Sequence, residues 1–363
     1  MVPQNPDSGH TPALRGQRLH IPDLRPAFAA WKQGVNPLYG RVRLAVDARL
    51  EGLIPDARVL AKVKAADIAL FAAGWFPDAP YHILETAAFY CVWLFLWDDA
   101  IDGAGAGAEA EAEGLLAEEY CRQSVAFVEY HLGIVGRREA DASEPPAPTA
   151  VCASFAEVGG RVAGYAGPED RGVLGQHLRE YMEACVTEHR WRLSGRVPSV
   201  EEFYSWRLRT SSVDVMLDLS RILNGLSLPV EILESKELAD MGLKVNKLLI
   251  LINEVFSLKK ELKDGAFGNL IPITMRSLGV DLDDAVQKIT QDIYDCITDF
   301  DHNAARLQER AARENGHEAA DRLNKLIEAY QAIAATVLNF SVQSPRYGLL
   351  KDRQEDGSFV VLL

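Results

Sequence analysis

The chain has 363 residues, 48% apolar and 25% charged, the balance of a globular protein able to bury a large core. Its 38 Lys and Arg against 52 Asp and Glu give a formal charge of −14, which excludes the basic face of a nucleic-acid binder and disfavours anionic membranes. An anionic ligand would have to be attracted by something other than net charge, and bound metal cations are the obvious candidate.

In chain order, residues 1–20 are polar, with no apolar core, and are expected to be a tail that is disordered without ligand rather than a secretory leader. Residues 21–363 are expected to form a single all-α domain. Helical periodicity runs over about 40–50, 57–76, 81–102, 115–132, 151–165, 170–193, 200–224, 232–262, 281–313 and 318–343. Strand-type alternation is nearly absent until the final Ser358-Phe-Val-Val-Leu-Leu. The tract 103–114 (GAGAGAEAEAEG) reads as a helix end or connector, and the prolines at 145, 146 and 148 break any helix there. The longest apolar run, Ala87 to Trp97, is 11 residues and too short to cross a bilayer. Cys91, Cys121, Cys152, Cys185 and Cys296 are far apart and odd in number, which argues against disulfides or a zinc site and for a reducing, cytoplasmic setting.

Four places carry candidate chemistry. Trp97-Asp98-Asp99-Ala100-Ile101-Asp102 ends the apolar run, with Asp98 and Asp102 on one helix face and Asp99 pointing elsewhere. Carboxylates at a helix C-terminus oppose its dipole, and divalent cations would offset that; hard oxygen ligands at this spacing suit Mg²⁺. Asn253, Ser257 and Glu261 follow at i, i+4 and i+8 after the apolar Leu248–Ile252, so the helix there either surfaces or lines a wet cavity. Arg207 shares one side of a helix with Thr210 and Ser211, and an Arg suits forked contact with phosphate oxygens. Pro345 forces Ser344 out of helical geometry, leaving Arg346 and Tyr347 on a turn free to reach across a cavity mouth.

Together these residues resemble the class I terpene synthases, over essentially the whole chain. Asp98-Asp99-Ala-Ile-Asp102 is similar to the family's aspartate-rich motif, and Asn253, Ser257 and Glu261 to its metal triad, with Lys260 in the place of a diphosphate-contacting lysine. Arg207, 46 positions before Asn253, is similar to the pyrophosphate sensor, with Thr210 as linker and Ser211, where bacterial members often have Gly, as effector. Arg346-Tyr347 resembles the C-terminal Arg-Tyr pair. The Trp-Leu-Phe-Leu-Trp-Asp-Asp segment is more similar to fungal and bacterial sesquiterpene synthases than to plant ones.

The resemblance implies a helical barrel around a central apolar cavity, and three Mg²⁺ ions held by Asp98, Asp102, Asn253, Ser257 and Glu261. It implies diphosphate contacts from Arg207, Lys260, Arg346 and Tyr347, and cavity aromatics at Phe71, Phe95 and Phe340. The implied reaction is ionisation of an allylic prenyl diphosphate, with farnesyl diphosphate the default and geranyl and geranylgeranyl open, then cyclisation in a closed, dry pocket whose aromatic faces stabilise the cation. The implied partner is that small molecule alone, with no nucleic acid and no stable membrane insertion, the protein being a monomer or homodimer. A chain-elongating prenyl diphosphate synthase would need a second aspartate-rich motif where Asn253, Ser257 and Glu261 stand. A non-catalytic isoprenoid binder would tolerate damage to these motifs, and none is damaged. Asp281-Leu-Asp-Asp matches a class II cyclase pattern but opens a helix, where Asp residues serve as caps.

Overall fold

The computed structural model describes residues 14–103, 110–134, 143–264 and 268–363, with the backbone alone at 102–103, 110–115 and 264. Residues 1–13 of the expected tail and 104–109 of the small-and-acidic tract lie outside the described residues. The helices are α1 (Tyr39–Leu53), α2 (Ala57–Ala66), α3 (Ile68–Trp75), α4 (Tyr81–Gly103), α5 (Ala110–His131), α6 (Ala150–Ala153), α7 (Phe155–Tyr165) and α8 (Pro168–Ser194). They continue as α9 (Val200–Thr210), α10 (Val213–Leu223), α11 (Val230–Leu233), α12 (Lys236–Asp264), α13 (Leu270–Leu278), α14 (Leu282–Glu314) and α15 (Gly316–Gln343). α12 packs on α14 and α15, α3 on α4 and α15, and α8 on α5 and α9. The core is continuous and includes Trp93 and Trp97 of α4 and Leu248, Ile250 and Ile252 of α12.

Two stretches that periodicity reads as single helices are broken by non-glycine residues with positive φ. Asp67, at φ 60°, ends α2 through its N–H to Lys64 O and opens α3 by accepting from Leu70 N. Ser212, at φ 58°, separates α9 from α10. Such conformations cost roughly 1–3 kcal/mol each and persist where surroundings hold them. Here Ser212 Oγ meets Tyr90 OH at 2.7 Å, and Ser211 Oγ donates to Asn246 Oδ1 at 2.8 Å. α13 has no counterpart in the periodicity, because Pro272 interrupts it; in the first turn its missing N–H is not needed. The Asp281 segment is a cap: its side chain accepts from Asp284 N at 3.0 Å.

The boundary expected after residue 20 falls earlier. Arg18–Ile21 forms β1, paired antiparallel with β2 (Phe359–Leu362), and Leu14 and Leu19 are buried. Alternating Leu19 and Ile21 face the core while Arg18 and His20 face outward, so polar composition hid a half-buried strand. All five cysteines are free and buried. Among the described residues no helix is long and apolar enough to cross a membrane.

Candidate active site

The end of α4, the C-terminal half of α8, α9 and the last turns of α12 surround one cavity of about 540 Å³. Asp98 lines it from α4, Arg207 and Thr210 from α9, and Lys260 and Glu261 from α12. Asp98 of the aspartate-rich segment and Glu261 of the α12 stripe therefore open onto the same space, while Asn253 and Ser257 are not among its lining residues. Asp98 is half-buried and Asp99 exposed, as the helical phase requires. Asp98 Oδ1 accepts from Cys185 Sγ at 3.6 Å. Burial and the Asp98 carboxylate push that thiol well above its ordinary pKa, so it remains a donor. Asp102 continues α4, and its side chain lies outside the described residues.

Arg207 is the hub of the polar wall. Its Nε donates to Glu254 Oε1 at 3.1 Å, Nη2 to Asn253 Oδ1 at 2.9 Å, and Nη1 to Thr210 Oγ1 at 3.5 Å. Burial works against its charge, but Glu254, Glu188 and Glu261 together hold its pKa above the usual guanidinium range. Glu254 is 3% exposed, and burial pushes its carboxyl upward against the pull of Arg207. Its Oε2 accepts the backbone N–H of Leu270 at 3.0 Å. Asn269, the N-cap of α13, donates Nδ2 to Glu261 Oε2 at 2.9 Å and to Glu254 O at 2.8 Å.

Along the α12 stripe Ser257 is buried and Asn253 and Glu261 are half-buried. Ser257 is 3% exposed, and its Oγ has no hydrogen-bond partner in the protein. A buried hydroxyl without a partner costs free energy, and here it lies one helical turn from Asn253 and one from Glu261. Amide, hydroxyl and carboxylate oxygens are the donor set of a hard cation, so the residues fit a divalent metal. Among the described residues, which do not include the Asp102 side chain, no three Asp, Glu, His or Cys side chains are grouped to hold a metal.

The C-terminal turn reaches the same network. Ser344 is extended, as Pro345 requires, and its Oγ donates to Ala66 O at 3.0 Å. Tyr347 is buried and its OH accepts from Asn253 Nδ2 at 3.0 Å. Burial raises its phenol pKa, keeping the proton in place. The exposed Arg346 guanidinium lies 5.5 Å from the centroid of the Phe95 ring. Phe71 stands edge-to-face with both Phe95 (6.1 Å) and Phe340 (5.4 Å). α3 can approach α15 here because Gly74 has no Cβ; one would lie 2.7 Å from Thr336 Oγ1.

Sequence reasoning missed Cys185, Glu188, Arg192 and Trp191 of α8, Phe203 and Trp206 of α9, and the pair Glu254 and Asn269. Trp191 and Trp206 stack at 4.9 Å on the cavity wall. Glu254 did carry a signal, as a lone charge within the apolar Leu248–Phe256 run. The α8 residues carried none, since their run of Glu, His and Arg reads as a solvated face.

Residues 90–299, more than half the chain and spanning both oxygen-bearing stripes and Arg207, match the family described as terpene synthase family 2, C-terminal metal binding. The chain is 27% identical over 347 residues to the sesquiterpene cyclase hepA of Aspergillus oryzae, covering 95% of this chain and 93% of that one. It is 27% identical over 301 residues to a (+)-eremophilene synthase of Sorangium cellulosum, covering 82% and 84%. Its fold superposes on the linalool/nerolidol synthase of Streptomyces clavuligerus with TM-score 0.72 at 19% identity, over 85% of this chain and 98% of that one. With Asp98 and Glu261 facing one cavity and the family match spanning both segments, the chain belongs to terpene synthase family 2 and is an all-α, metal-dependent class I terpene synthase, a carbon–oxygen lyase acting on phosphates.

Proposed function

We propose that the protein ionises farnesyl diphosphate with Mg²⁺ and cyclises the resulting cation to a sesquiterpene hydrocarbon or alcohol, releasing diphosphate. The observation that carries this reading is the shared cavity: Asp98, Arg207, Lys260 and Glu261 line one space of about 540 Å³. In this reading Asp98 and Asp102 hold cations on the α4 side, and Asn253, Ser257 and Glu261 hold one on the α12 side, for three in all. When bound, the cations act as Lewis acids on the diphosphate oxygens. Arg207, Lys260, Arg346 and the Tyr347 hydroxyl donate hydrogen bonds to the leaving group as its charge develops. Thr210 keeps Arg207 aimed at the cavity, and Ser211, fixed by Asn246, sits at the break where α9 ends. Phe71, Phe95 and Phe340 offer ring faces to the migrating positive charge, each worth about 0.5–2 kcal/mol.

The fifteen-carbon substrate is favoured because hepA, similar along nearly the whole chain, is a sesquiterpene cyclase. Incubating the protein with Mg²⁺ and, separately, geranyl, farnesyl and geranylgeranyl diphosphate, then analysing volatile extracts by mass, tests it. The expected result is a fifteen-carbon product from farnesyl diphosphate alone. Turnover that appears only after isopentenyl diphosphate is added would make the protein a chain-elongating enzyme and overturn the proposal.

A further inference from the structure

Between the sensor arginine and the metal-ligating carboxylate stand two buried side chains to which the reaction assigns no role. Glu254 uses one oxygen for Arg207 Nε (3.1 Å) and the other for the N–H of Leu270 (3.0 Å). Asn269, 1% exposed, caps α13 by accepting Ile271 N at 2.9 Å while its amide donates to Glu261 Oε2 and Glu254 O. We propose that Glu254 and Asn269 are positioning residues that form a clasp: Glu254 orients Arg207 toward the diphosphate, and Asn269 orients Glu261 toward its cation. The proposal rests on the reading that Arg207 meets diphosphate and Glu261 a divalent metal.

The chemistry of the two side chains separates positioning from simple capping. Ser, Thr or Asp would cap α13 as well as Asn does. Asn accepts the capping N–H with its amide oxygen and donates to a carboxylate with its separate amide nitrogen; a Ser or Thr hydroxyl has one shorter-reaching oxygen for both tasks, and an Asp in this place would repel Glu261. Pinning Oε2 of Glu261 fixes the rotation of the carboxylate and leaves Oε1 to face the cavity that Glu261 lines. Glu254 Oε1 lies 3.1 Å from both Nε and Nη2 of Arg207, so it holds that edge of the guanidinium and leaves Nη1 on the side of Thr210. Nη2 donates to Asn253 Oδ1, a contact that Asn253 would give up in holding a cation, and Glu254 would then keep the guanidinium in place. Leu270 N and Asn269 belong to the start of α13, so one helix end sets both groups.

The test uses Asn269→Ser, which keeps a capping oxygen but falls short of Glu261, and Glu254→Gln, which keeps the shape and removes the charge facing Arg207. The melting temperature of the full chain is measured while Mg²⁺ is titrated at fixed inorganic diphosphate, and while diphosphate is titrated at fixed Mg²⁺. The wild type is expected to melt higher only when both are present; no rise would sink the metal–diphosphate reading itself, a failure distinct from that of the clasp. Asn269→Ser is expected to raise the half-saturating Mg²⁺ by about 10-fold or more, the usual cost of losing a partner behind a metal ligand. Glu254→Gln is expected to raise half-saturating diphosphate by a similar factor, about 10-fold. A purely structural role would lower the ligand-free melting temperature and leave both half-saturation points unmoved. Wild-type titrations in either variant overturn the clasp. Asn269→Ser preserves the cap and hence the fold, so if Glu254→Gln does not fold, the Mg²⁺ titration of Asn269→Ser alone decides.

Discussion

On the α12 side the oxygens proposed to hold a cation are embedded in protein. Asn253 bonds to Arg207 and Tyr347, Glu261 to Asn269, and Ser257 is buried in the helix wall. On the α4 side Asp98 sits half-buried at the end of a helix, where the dipole opposes its charge, and meets the thiol of Cys185. One side is organised by packing and by hydrogen bonds within the protein. The other concentrates negative charge that bound cations would relieve. The two walls, one hydrogen-bonded and one charged, should respond differently to the loss of a side-chain oxygen.

Asp98→Ala and Asn253→Ala provide the sharpest contrast. Each removes an oxygen that the proposed cations would use to stabilise the developing charge, so each is expected to lower kcat by on the order of 1000-fold. Their stabilities should diverge. Asp98→Ala removes a charge unfavourable to its helix and should leave the denaturation midpoint unchanged or raised. Asn253→Ala takes a partner from Arg207 Nη2 and from Tyr347 OH and should cost about 1–3 kcal/mol. Chemical denaturation followed by circular dichroism checks this; equal midpoints would show that the two walls are built alike.

The aromatic cluster comes next in magnitude. Phe71 touches both Phe95 and Phe340, so Phe71→Ala opens a void at the centre of three rings and should cost about 3 kcal/mol. If these rings face the cation, the variant also changes the ratio of terpene products, seen by mass spectrometry of the extracts. An unaltered product mixture with the expected loss of stability would leave the cluster as packing alone.

The two walls were not equally legible in sequence. The α4 motif was readable because an 11-residue apolar run ending in aspartates admits one placement, a buried helix with its acids at the tip. The α12 stripe was readable as spacing but not as burial: Asn, Ser, Glu and two lysines suit a solvated face equally well, and only the tertiary fold turns Ser257 inward. Asn269 was invisible because its role depends on α13, a helix hidden by Pro272. The breaks at Asp67 and Ser212 escaped because neither residue is the glycine that usually marks positive φ. The three phenylalanines lie on three helices, and phase could place each on a face but could not bring them together.

The smallest effect concerns a polar cluster behind the α9–α10 break, built like the α12 wall but outside the cavity lining. His177 Nδ1 lies 2.7 Å from Asp218 Oδ2, joining α8 to α10. The hydrogen bond that His177 Nδ1–H donates to the Asp218 carboxylate raises the His177 pKa above its ordinary value, against the opposing effect of burial. A His with a folded pKa above the unfolded one stabilises the protein fully below the unfolded value, about 6.5, and loses that contribution as pH rises through the folded value. His177→Gln should therefore be less stable than wild type at about pH 6, with the gap narrowing as pH climbs. Denaturation midpoints of the two proteins across this range provide the check. A gap that stays flat or widens toward alkaline pH would mean that the neutral imidazole holds α8 to α10 as well as the charged one, leaving α10 fixed by the Ser212–Tyr90 and Ser211–Asn246 contacts instead.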